Sequence, residues 1–201
     1  DDRKDITIKS DFADIEFQSR ANYKEIATYL TNALKRYIPL LYNSDAKSTA
    51  QPSDDKASSA LDYSVLMVHT HEKLNDLLDA IMSGMLIAPD TELSLVFSPT
   101  DNHFALQLGS EALEYKGVIL ADANVDVKND RDSLLMWLNS EAIYLGSRRL
   151  LPNFNITGTA HQNHINLSAA FKDEANRQSG LLAMGAKFSR NPETRHRSVN
   201  I

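Results

Sequence analysis

The sequence predicts an α+β domain, with a mostly antiparallel sheet packed by about three helices. Three observations carry that expectation: short stretches of alternating apolar and polar residues at both ends of the chain, apolar stripes at helical spacing between them, and an average globular composition. At 201 residues, with 42% hydrophobic and 24% charged residues, the chain is long enough to bury a core and reads as a single domain over 1–201.

Ile6 with Ile8, and Ile15 with Phe17, alternate as in two strands within 5–17, with a polar turn between them. From Tyr23 the spacing changes. Tyr23, Ile26, Ala27, Leu30, Ala33, Leu34, Tyr37 and Ile38 form one helical stripe over 22–41, with Asn22 and Glu25 placed as a capping box and Pro39 near its end. The stretch 43–60, NSDAKSTAQPSDDKASSA, offers no large apolar side chain and is expected as a mobile surface loop.

Leu74, Leu77, Leu78 and Ile81 predict a second helix over 72–84, with Gly84 at its end, while YSVLMVHTH before it fits strand and helix equally. Within 92–120 two alternating runs joined by Ser98 to Asn102 predict a hairpin, followed by the apolar run Val118 to Ala121. Leu134, Leu135, Trp137, Leu138 and Tyr144 return to helical spacing and predict a third helix over 131–145, capped by Asp130 or Asp132 and stopped by Gly146. Phe154, Ile156, Ile165, Leu167, Ala169 and Phe171 predict strands over 153–171, and 187–201 is expected as a flexible basic tail.

Composition excludes several chemistries. The chain has no cysteine, which removes disulfides, thiolate metal sites and a cysteine nucleophile. No Walker A, Gly-x-Gly-x-x-Gly or Gly-x-Ser-x-Gly pattern occurs, and no cofactor is implied. No apolar run approaches the roughly 20 residues that span a bilayer, so no membrane is expected as partner and the location is expected to be cytoplasmic. A formal charge of −6 argues against a surface that is phosphate-binding throughout.

Four weaker patterns remain. His69 with His71 would share a face on a strand and could chelate a metal, whereas His161 and His164 would not. The carboxylate pairs Asp54 with Asp55 and Asp122 with Asp126 read first as solvated turn residues. Asn155-Ile-Thr157 and Asn166-Leu-Ser168 match glycosylation acceptors at a frequency that chance supplies. Arg148 and Arg149, with Lys187, Arg190, Arg195, His196 and Arg197, would form one basic patch for phosphate if the tail folds back near Gly146.

The stretch from Leu108 through Gly109-Ser110 to Leu120-Ala121-Asp122, with Arg148-Arg149-Leu150 after it, resembles accessory proteins of integrating conjugative elements. That resemblance covers a short part of the chain and implies a mobile-element accessory protein, in some relatives a regulator acting through DNA. Residues Asn124 to Asp130 depart from the pattern where a helix would continue. Three functional readings follow: a non-enzymatic binding or assembly module acting through a protein partner or homo-oligomer, a DNA-associated regulator using the basic residues, and a metal-assisted enzyme using His69 and His71.

Overall fold

Alternation of side chains along a strand decides most of this architecture. The computed structural model describes residues 4–20, 37, 63–98, 103–172, 175, 177–190 and 197–201, with the backbone alone at 178, 179 and 197. The strands are β1 Lys4–Lys9, β2 Ala13–Ser19, β3 Ser64–Thr70, β4 Met85–Ile87, β5 Glu92–Ser98, β6 His103–Tyr115, β7 Val118–Asp130, β8 Ser133–Leu145, β9 Arg148–His161, β10 His164–Lys172, β11 Gln178–Arg190 and β12 Arg197–Asn200. They form one antiparallel sheet in the order β1-β2-β3-β5-β6-β7-β8-β9-β10-β11-β12, with β4 beside the far end of β6.

The register sorts side chains into two faces. Ile6, Phe17, Leu66, Leu95, Leu106, Val127, Met136, Gly158, Leu167 and Met184 lie directly opposite one another in a row across ten strands. The neighbouring row, on the other face, runs Thr7, Glu16, Met67, Ser94, Gln107, Asp126, Trp137, Thr157, Ser168 and Ala183. A one-residue slip in any strand would exchange these sets, so the contrast between the rows fixes the register. Gly158 serves the apolar row by its lack of a side chain: a Cβ there would stand 2.9 Å from Leu167 and 3.1 Å from Met136, which close over it.

Two-residue hairpins join the long strands. Lys116 and Gly117 (φ 51° and 81°) and Gln162 and Asn163 (φ 44° and 65°) have the left-handed backbone of type I′ turns, whose twist matches that of the strands. Mid-strand, Asp122 and Asn153 also have positive φ (both 46°), level with Glu111 and Glu141 where the pairing breaks. The buried small residues Ser110, Ala123, Ser140 and Ala142 sit at this break, and the Ser140 hydroxyl lies 2.6 Å from the Ala121 carbonyl and 2.9 Å from that of Ala142. Before the break β6 pairs with β5; beyond it, with β4.

The best-buried block lies at β2, β3 and β5. Phe97 is 1% exposed, and the hydroxyls of Ser19 and Ser64, both buried, meet at 2.7 Å. Tyr37 is helical and buried, and its carbonyl accepts the Asn163 N–H at 3.1 Å.

The α+β expectation is overturned, because the described residues form an antiparallel β-sheet with one short helix, α1 (Leu74–Ile81), and the helical residue Tyr37 besides. The expected helix over 131–145 is β8. Leu134 to Leu138 is apolar without interruption, which hides a period of two, and the long partners β7 and β9 supply ladders on both sides. The expected helix over 72–84 is present as α1, and YSVLMVHTH contains β3. Apart from Tyr37, the expected helix over 22–41 and the loop 43–60 lie outside the described residues. Of the stretch expected as a tail, Lys187 to Arg190 belong to β11 and Arg197–Asn200 forms β12.

Candidate interaction surface

Of the basic residues singled out from the sequence, Arg148, Arg149, Lys187 and Arg190, with the backbone of Arg197, are described and fall at two ends of the sheet. Arg148 and Arg149 open β9 just after the Gly146 turn, with the Arg149 guanidinium 3.9 Å from the Glu141 carboxylate. Lys187 pairs with His164 beside the β9–β10 turn, and Arg190 pairs in register with Arg197. From Arg149 to His161 the strand runs about 40 Å at 3.3 Å per residue, so β9 itself holds the two groups apart. Arg195 and His196 lie outside the described residues, as does the side chain of Arg197.

His69 and His71 do share one face, their rings 5.4 Å apart. Each imidazole faces a carboxylate: His69 Nε2 lies 3.1 Å from Asp90 and His71 Nε2 lies 3.2 Å from Asp14. Among the described residues no three histidine or carboxylate side chains are grouped to hold a metal ion. Beside His71, Ser10, Asp11, Lys73, Pro89 and Asp90 border a polar basin. There the exposed Lys73 ammonium contacts Asp11 at 2.6 Å; this hydrogen bond and charge lower the Asp11 pKa and raise that of Lys73.

Of the carboxylate pairs, Asp126 accepts a long hydrogen bond from Gln107 (3.4 Å), Asp122 sits at the mid-strand break, and Asp54 and Asp55 lie outside the described residues. Asn155 and Asn166 stand on the polar face. The segments that carried the resemblance lie in β6, at the start of β7 and at the start of β9.

The feature that reading missed is the margin of the sheet. Along the apolar face exposure is high at both margins: Ile8 on β1 is 49% exposed, and on β11 and β12 Leu182 is 65% exposed, Met184 45% and Val199 51%. Among the described residues β12 pairs with β11 alone. At the opposite margin, β1 carries Lys4, Asp5 and Lys9, the charges with which natural edge strands repel further pairing; β12 after Arg197 reads Ser-Val-Asn. The alternation of Leu182, Met184, Ala186 and Phe188 was the available signal for this strand.

No family model, no curated protein and no solved structure matches the chain. Among the described residues no helix is long and apolar enough to cross a membrane.

Proposed function

We propose that the chain is a non-enzymatic binding and assembly module that takes a protein partner, another protein or a second copy, along the β12 margin in the cytoplasm. The observation that carries this reading is the half-exposed apolar face ending on β12, which has little charge and, among the described residues, pairs with β11 alone. An added strand would satisfy the outward backbone groups of β12 and extend the apolar row beyond Val199, as in other β-augmentation complexes. Exposed apolar patches of this continuity on a folded chain commonly mark contact surfaces.

The test is gentle capture of the chain from its source cell's lysate, with and without nuclease, in parallel with Val199→Lys. Lysine on the edge opposes strand addition while leaving a half-exposed site folded. A protein that survives nuclease and is lost with Val199→Lys supports the reading. Partners that disappear with nuclease, or that the variant retains equally, contradict it.

A further inference from the structure

At the end of the sheet opposite Lys187, three turns are tied side by side. The Lys116 N–H donates to the Gly84 carbonyl at 2.8 Å, and the Gly146 N–H donates to the Gly117 carbonyl at 2.9 Å. The rim they form has the sequences Met82-Ser-Gly-Met85, Tyr115-Lys-Gly-Val118 and Leu145-Gly-Ser-Arg-Arg-Leu150. These contain Lys116, Arg148 and Arg149 and no carboxylate, in a chain whose overall charge is −6.

The same rim exposes large apolar side chains. Tyr115, Val118 and Leu145 are directly opposed in register and are 50%, 43% and 53% exposed; Met82 and Leu150 are exposed beside them. Lys116 holds its ammonium 5.1 Å from the Tyr115 ring centroid. Exposed apolar residues on these turns beside Lys116, Arg148 and Arg149, the last also 3.9 Å from the Glu141 carboxylate, match an interface of acyl chains beneath phosphate headgroups. A nucleic acid would use the cations and leave Val118 and Leu145 without a role.

We propose that this rim docks the chain peripherally on an anionic lipid surface, with Tyr115, Val118 and Leu145 entering the headgroup boundary and Lys116, Arg148 and Arg149 meeting lipid phosphates. In this arrangement the sheet lies outside the bilayer. Since β12 is a different margin, this inference and the assembly reading stand or fall separately.

Vesicle co-sedimentation of the full chain tests it, with 70:30 phosphatidylcholine:phosphatidylglycerol against phosphatidylcholine alone at 0.1 M salt, and a 24-base-pair DNA duplex as competitor. Binding is expected to the anionic vesicles only. Each cation near the surface contributes about 5-fold, so Arg148→Ser with Arg149→Ser should weaken binding about 25-fold. Val118→Asn with Leu145→Asn should also abolish sedimentation while leaving the circular dichroism spectrum unchanged. Three results would each overturn the proposal: no binding to either vesicle, binding unchanged in both double variants, or displacement by the duplex with the apolar variants binding like the parent.

Discussion

Replacing Phe97 with alanine examines where the core lies. Phe97 is 1% exposed, on the apolar face opposite Phe104 and Ser64. Removing a fully enclosed phenyl ring forfeits its transfer free energy and leaves a cavity, a cost of about 3–5 kcal/mol. Leu182 lies on the same face but is 65% exposed, so Leu182→Ala should cost under about 1 kcal/mol. Urea unfolding followed by the fluorescence of Trp137, the single tryptophan, measures both. The expected result is a large fall in midpoint for Phe97→Ala at constant slope and a small one for Leu182→Ala. Equal costs, or the reverse order, would refute the placement of the core at β3 and β5 and of the open margin at β11.

Three further outcomes follow from particular contacts. Ser19→Ala and Ser64→Ala in a double-mutant cycle should show a coupling of about 1 kcal/mol, because the two buried hydroxyls partner each other; additive losses would contradict the 2.7 Å contact. Gly117→Val should destabilise by about 1–2 kcal/mol through its φ of 81° alone, as no atom lies within 4 Å of the new Cβ; a neutral result in thermal unfolding would argue against the type I′ turn. Asp11, its pKa lowered by Lys73, contributes stability that is present above its unfolded-state pKa and is lost as pH falls through the lower folded value. Lys73, raised by Asp11, contributes below its unfolded-state pKa and loses that as pH rises through the higher folded value. In a carbon-detected NMR titration the Asp11 midpoint should rise in Lys73→Ala, and an unmoved midpoint would remove the pair.

The legible parts of the fold were those whose two faces differ. Ile6, Ile8, Ile15 and Phe17 alternate with charged or polar neighbours, and the β1–β2 hairpin follows. β8 was illegible because Leu135 and Trp137 stand on the polar face: Trp137 lies opposite Asp126 and Thr157 and is approached by the Lys128 ammonium at 4.9 Å. Such a run carries no period of two, and local spacing then favours a helix that the ladders of β7 and β9 override. The basic residues were visible as types, but their separation depends on the length and register of β9, which no local pattern encodes. Exposure at Leu182, Met184 and Val199 depends on where the sheet ends, a property of the whole topology.

The most direct test of the single antiparallel sheet uses the absence of native cysteine. Asn139 and Asn155 are directly opposed on β8 and β9, where paired Cα atoms stand about 4.5–5.5 Å apart, within disulfide range. Mild oxidation of the Asn139→Cys/Asn155→Cys variant, read by non-reducing electrophoresis and intact mass, should give an intramolecular disulfide in nearly every molecule. Two persistent free thiols, or intermolecular links alone, would contradict the strand at 133–145 and the continuous sheet built on it.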